Sequence, residues 1–173
     1  MWKRRCEGLN KENVIPTVKH SKSVMMWGCV AGPGVGHLLE IPVKMNAKVY
    51  VNDILSQHLN SSANELGIGD NYVFQADNDP KHTSKLAKKW LADQLVETLE
   101  WPPQSPDLNV IENLWDEIDT QMPKTSRKSF KTFKESIHTI WKNMSTDIIN
   151  NLIESIPRRL KAVIDAKGYN TRY

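Results

Sequence analysis

The stretch "YVFQADNDPKHTSKLAKKWLA", residues 72–92, passes from a short apolar run through a cluster of acids, Asn and Pro into a basic run with helical spacing. An apolar run of strand length followed by a helical pattern describes one β-α unit. In open α/β domains ligands bind beyond the carboxyl ends of strands, and Asp77 stands at such an end with Asn78, Asp79 and His82 close behind it. Asp79 then Pro80 is a good helix opening, because Asp accepts free N–H groups and the fixed φ of Pro suits the first helical position. The spacing therefore predicts a strand over 72–76 and a helix from Asp79 to about Ala92.

Upstream, "SVMMWGCVA" (23–31) and "GHLLEIPV" (36–43) are apolar runs of strand length joined by "GPGVG", which reads as a hairpin. The glycines are not a phosphate loop, since such a loop opens a helix and this one leads into a strand. Val49, Tyr50, Ile54, Leu55, Leu59 and Leu66 form the apolar stripe of a helix from Asn46 to about Leu66. Downstream, "LVETLEW" (95–101) reads as a short strand, "PPQSPDLN" as a rigid loop, and a helix begins near Asn109. After Pro123 the chain reads as helices over about 129–142, 145–155 and 157–167, so the whole is an α/β domain with a mixed sheet.

A chain of 173 residues suits one domain with a real core. No stretch reaches the roughly eighteen apolar residues of a membrane span, so no membrane partner is expected. "MWKRRCEGLNKEN" has no apolar segment after its basic start, which argues against a secretory signal. Cys6 and Cys29 lack metal-ligand spacing and read as thiols. Charge is uneven: residues 124–173 hold 11 Lys or Arg against 4 Asp or Glu, and residues 1–123 hold 12 against 16. The basic third suits either a polyanion partner or a solvated helix face.

A second acidic candidate lies in "NVIENLWDEIDTQM" (109–122). Ile111, Leu114, Trp115, Ile118 and Met122 recur every three or four residues as one buried stripe, and Glu112, Asp116 and Asp119 share its flank. A strand-end carboxylate and a helix-flank carboxylate are hard ligands of the kind Mg²⁺ takes, with water and substrate phosphate filling its other positions. Two such ions serve phosphodiester chemistry. Each acid also fits a plainer role: Asp77 as a turn residue, Asp79 as a helix cap, Glu112 as a solvated helix acid.

"FQADNDPKHTS" and "EWPPQSPDLNVIENLW" together resemble the catalytic domain of Tc/mariner superfamily DNA transposases. Thirty-four residues separate Asp77 from Glu112, as in the aspartate–aspartate–glutamate (DDE) arrangement of that family. "VIPTVKHSKSVMMWGCV" and "IPRRLKAVIDAKGYNTRY" extend the resemblance over nearly all of 1–173, as one domain that is helical from about 124. The resemblance implies a ribonuclease-H-like fold, a mixed sheet flanked by helices. It also implies metal-dependent DNA cleavage and strand transfer (DNA transposition and integration) with two Mg²⁺ or Mn²⁺ ions, in the nucleus, on DNA and beside another transposase subunit.

By the same resemblance Asp77 and Glu112 are the catalytic and metal-binding positions. Asn78 and His82 match the first motif and are read as supports that orient Asp77, with capping or packing as the alternative. Lys81, Lys85, Lys88, Lys89, Arg158 and Arg159 are candidate DNA contacts. Trp101, Trp115 and Trp141 read as core or loop anchors. The family pattern also has a first aspartate on an early strand, and none of Glu7, Glu12, Glu40, Asp53 or Asp70 lies in such a context. The expectation is thus a transposase-derived domain lacking its first strand and the helix-turn-helix domains, and inactive alone. The alternative is a non-catalytic DNA- or transposase-binding remnant.

Overall fold

Side-chain alternation in one hairpin sorts the apolar residues into two layers. In the computed structural model, which describes residues 24–42, 44–103, 105–169 and 171, β1 (Met26–Ala31) pairs antiparallel with β2 (Gly34–Glu40). Trp27, Cys29 and Leu39 point to one face and Met26, Val30, Val35 and Leu38 to the other. The register shifts between Gly28 and Val30, so that Gly36 and His37 together oppose Cys29 in a bulge. The turn itself is shorter than "GPGVG", because β2 already begins at Gly34.

The first layer rests on α1, a continuous helix through Ala47–Val49, Tyr50–Leu59 and Asn60–Glu65, whose middle section is π-wound. Asn46 caps it, accepting from the N–H groups of Lys48 (2.9 Å) and Val49 (3.0 Å). The winding has a reason in the spacing of Tyr50, Val51, Ile54, Leu55 and Leu59, all buried. At 3.6 residues per turn Tyr50 and Leu59 would fall on roughly opposite faces. The wider winding of i→i+5 bonding, about 4.4 residues per turn, returns both to the core face.

β3 (Val73–Phe74) pairs in parallel with β4 (Glu97–Thr98) around the helix α2 (Lys85–Asp93). These strands are shorter than the runs 72–76 and 95–101, and among the described residues the two ladders share no hydrogen bond. The expected opening of α2 at Asp79 is displaced to Ser84, whose side chain accepts from the Ala87 N–H at 3.1 Å. Residues 79–83 instead form a turn, with the Asp79 carbonyl accepting from His82 (2.9 Å) and Thr83 (3.0 Å) and Pro80 at its favoured second position.

The second layer contains α3 (Val110–Gln121), α4 (Phe130–Lys142) and α5 (Thr146–Asp165). Leu114, Ile118, Ile137, Ile140, Trp141 and Ile149 form its core against the outer face of the hairpin. Trp141 acts as an anchor: it stacks on Trp115 at 5.3 Å and donates to the Gly36 carbonyl at 2.9 Å. The two helices expected over 145–155 and 157–167 are one, with Pro157 inside it. Packing of Ile149, Leu152 and Ile153 on the second core carries the helix through a residue that removes one hydrogen bond. No helix among the described residues is long and apolar enough to cross a membrane.

Candidate active site

Asp77 lies three residues beyond the end of β3, and its Oδ1 accepts from two sides. His82 Nδ1 lies 2.5 Å away and the Asp79 N–H lies 3.1 Å away. A carboxylate oxygen accepts, so the His82 Nδ1–H donates. The His82 ring rests on Tyr50, centroids 4.3 Å apart, and its buried Nε2 has no partner among the described residues. Asp77 Oδ2 likewise carries no hydrogen bond among them, and the Asp77 side chain is half exposed. Burial, then the charges of Asp77 and Asp79, push the Tyr50 hydroxyl pKa well up, so it stays a neutral phenol. Tyr50 was legible in the sequence only as a core residue, because nothing local shows that α1 presents it to His82.

Asn78 and Asp79 point elsewhere. Asn78 donates to the Trp101 carbonyl at 2.6 Å, joining the loop after β3 to the loop that leads into α3. Asp79 closes its own turn, accepting from the Lys81 N–H (2.8 Å) and Lys81 Nζ (2.6 Å). Burial alone would raise the Asp79 pKa, but the bonds and charge of Lys81 outweigh it and hold the carboxyl below its ordinary value. It therefore caps the turn of Lys81 rather than α2.

Glu112 is in the first turn of α3. A helix N-terminus favours the charged form of a carboxylate, yet the Glu112 carboxyl is raised above its ordinary value, first by burial and then by the charges of Asp77 and Asp116. The two motifs therefore converge electrostatically. They also line one cavity of about 350 Å³, which Asp77, His82, Glu112 and Tyr50 share with β1 and β3. Asp119, on the same flank of α3, is instead paired with Arg127 at 2.7 Å.

The donor set is hard but partial. Asp77 and Glu112 are oxygen ligands on one cavity, whereas no group of three His, Cys, Asp or Glu that could hold an ion occurs among the described residues. Mg²⁺ needs only one or two carboxylates when water and phosphate complete its shell, so the pair fits an open site and not a closed cage.

The basic candidates divide. Lys85, Lys88 and Lys89 are exposed on α2, with Lys89 paired to Asp93 at 2.7 Å, and Arg158 is exposed on α5. Lys81 is held by Asp79. Arg159 is a correction to the sequence reading: it is 3% exposed, donating to Ser155 Oγ (2.7 Å) and the Asp107 carbonyl (2.9 Å). Its position on α5 turns it inward, and its guanidinium serves the interior. Asp107 also accepts from the backbone N–H (2.7 Å) and hydroxyl (2.6 Å) of Thr171.

Residues 7–137 match the model of the DDE superfamily endonucleases. The chain is 43% identical over 159 residues to the transposable element Tcb1 transposase of Caenorhabditis briggsae, covering 91% of this chain and 58% of that protein. It is 39% identical over 175 aligned positions to the transposable element Tc1 transposase of Caenorhabditis elegans, covering 99% and 63%. The chain thus spans about six-tenths of the length of these relatives. Its fold matches the Mos1 mariner paired end complex with Mn at a TM-score of 0.80 and 17% identity, over 98% of this chain and 52% of that one. The Mos1 complex is also solved with Mg. The helices around small strand pairs are therefore a ribonuclease-H-like arrangement. The chain belongs to the DDE superfamily endonucleases, as a transposase-derived catalytic domain of Tc/mariner type.

Proposed function

We propose that Asp77 and Glu112 are two oxygen ligands of a divalent-ion site that serves DNA cleavage and strand transfer, and that this chain by itself binds the ion weakly and does not cut DNA. The observation that carries the reading is that Asp77 and Glu112, one from each motif, line one cavity; the raised carboxyl of Glu112, which feels the charge of Asp77, agrees with it. Like charges held together are relieved by a cation. Bound there, Mg²⁺ or Mn²⁺, two ions in the complete family site, would supply charge stabilisation for the phosphodiester and an activated attacking oxygen.

The chain's own residues do the positioning. His82 fixes one oxygen of Asp77 and leaves Oδ2 for the ion. Asn78 bridges the two loops and so sets the separation of the two carboxylates. Two carboxylates on an open cavity suit a weak site, which supports inactivity of the chain alone. Lys85, Lys88, Lys89 and Arg158 are proposed to meet DNA phosphates, with a second transposase subunit as protein partner. The nucleus is the proposed place of action, because that is where the DNA of its relatives' hosts lies.

The test is Mn²⁺ binding by calorimetry alongside plasmid nicking. Measurable Mn²⁺ binding that is lost in Asp77→Asn and in Glu112→Gln, with no nicking, is the expected result. Binding unchanged by both substitutions would overturn the site. Nicking that disappears in both variants would overturn the inactivity and keep the site.

A further inference from the structure

Away from the carboxylate cavity, β2 and α1 meet through two histidines. His37 of β2 is fixed at its backbone, where its N–H donates to Ser62 Oγ of α1 at 3.0 Å. Its ring lies between two more side chains of α1. Nδ1 is 2.8 Å from His58 Nδ1, and Nε2 is 2.9 Å from Glu65 Oε1. None of His37, His58 and Glu65 lines the cavity of Asp77 and Glu112.

A carboxylate oxygen accepts, so His37 Nε2–H donates to Glu65. In its neutral form the His37 ring then carries its lone pair on Nδ1, aimed at His58. An imidazole held by a carboxylate through one nitrogen, with a lone pair offered by the other, is the arrangement that metal-ligating histidines adopt. The bond from His37, then its charge, holds the Glu65 carboxyl below its ordinary value, so Glu65 is ionised at neutral pH. Burial, then the charge of His37, lowers the His58 pKa, which leaves that ring a free base at neutral pH.

An ion bound at about 2.0–2.1 Å to two nitrogens at a right angle holds them about 2.9 Å apart, against about 3.3 Å at a tetrahedral angle. The 2.8 Å between the two Nδ1 atoms is therefore the spacing of adjacent positions on a square-planar or octahedral ion. We infer that His37 and His58 form a second cation site, a pair of adjacent imidazole ligands for a borderline divalent transition ion such as Ni²⁺ or Cu²⁺, with Glu65 orienting His37. With both rings neutral, the proton between them belongs to His58 Nδ1. On binding it moves to His58 Nε2, which has no bond among the described residues, and both part-exposed rings tilt toward the ion. No third His, Cys, Asp or Glu joins them among the described residues, so water fills the remaining positions. The ion links β2 to α1, the helix whose Tyr50 supports His82, and stabilises the fold as any ligand of the native state does. The inference does not rest on the Asp77 and Glu112 reading, because that site takes hard ions through oxygen and this one takes borderline ions through nitrogen.

The experiment titrates the whole chain with Ni²⁺ at neutral pH, followed by calorimetry and by the imidazole ¹⁵N signals of each histidine, with Mg²⁺ as the comparison ion. Saturable Ni²⁺ binding is expected, broadening the His37 and His58 signals before that of His138, while Mg²⁺ moves neither. His58→Asn should weaken Ni²⁺ binding by about tenfold or more, and Glu65→Gln, which keeps both ligands and changes an exposed side chain, by about tenfold. Asp77→Asn should leave the affinity unchanged. His37 and His58 signals that stay sharp at millimolar Ni²⁺ overturn the inference, and so does full affinity in His58→Asn. Binding lost in Asp77→Asn would assign the ion to the carboxylate cavity and overturn it as well. Full affinity in Glu65→Gln would overturn the role given to Glu65.

Discussion

Glu112 feels three influences: the helix N-terminus favours its charge, while burial and the carboxylates of Asp77 and Asp116 oppose it and prevail. A carboxyl whose folded pKa lies above its unfolded one costs stability when ionised, and that cost disappears as pH falls through the raised value. Glu112→Gln should therefore abolish Mn²⁺ binding and raise the metal-free melting temperature at pH 7 only slightly, because solvent screens this exposed carboxyl. A calorimetric scan without and with Mn²⁺ decides it, and a lower metal-free melting point would refute it. His82→Ala should weaken Mn²⁺ binding by about tenfold or more, the usual effect of removing a group that orients a ligand. Unchanged affinity would leave His82 a packing partner of Tyr50.

The elements show where local chemistry and tertiary demand disagree. α2 ends with Leu95 in the left-handed region (φ 56) and 92% exposed. The Val96 N–H reaches back to the Leu91 carbonyl at 2.9 Å. That is the helix ending for which glycine is favoured. Leu95→Gly should stabilise the chain by about 1 kcal/mol, seen as a shifted urea midpoint. Ser84→Ala should cost about 1 kcal/mol through the lost cap. If Asp79 capped α2 after all, Ser84→Ala would be silent.

At the scale of the molecule, Arg159, Ser155, Asp107 and Thr171 tie α5 and the chain's end to the turn before α3. Arg159→Ala would leave buried acceptors unpaired and should cost about 2–3 kcal/mol, without altering the salt dependence of any DNA binding. Arg158→Ala should do the reverse, lowering that dependence by about one phosphate contact. Titrations of both variants against salt separate the roles. Bonds from Thr171 hold the Asp107 carboxyl below its ordinary value. A depressed carboxylate contributes stability above its unfolded pKa and loses it as pH falls through the folded one. The melting-point deficit of Asp107→Ala should therefore be larger at neutral pH than in acid.

Local pattern determined what its own neighbours enforce. Strand-length apolar runs and the recurrence of Leu114 and Ile118 marked the hairpin and α3, and the two motifs with their separation identified the family and the carboxylates that share a cavity. Tertiary structure decided whatever depends on a partner distant in the chain. It chose π winding for Tyr50–Leu59, because that section must face one core. It carried α5 through Pro157, because packing on the second layer outweighs one missing hydrogen bond. It turned Arg159 inward while its neighbour Arg158 stayed in solvent, a distinction of about 100° around a helix. Composition cannot resolve such a rotation, since it follows from which side of α5 the loop at Asp107 occupies.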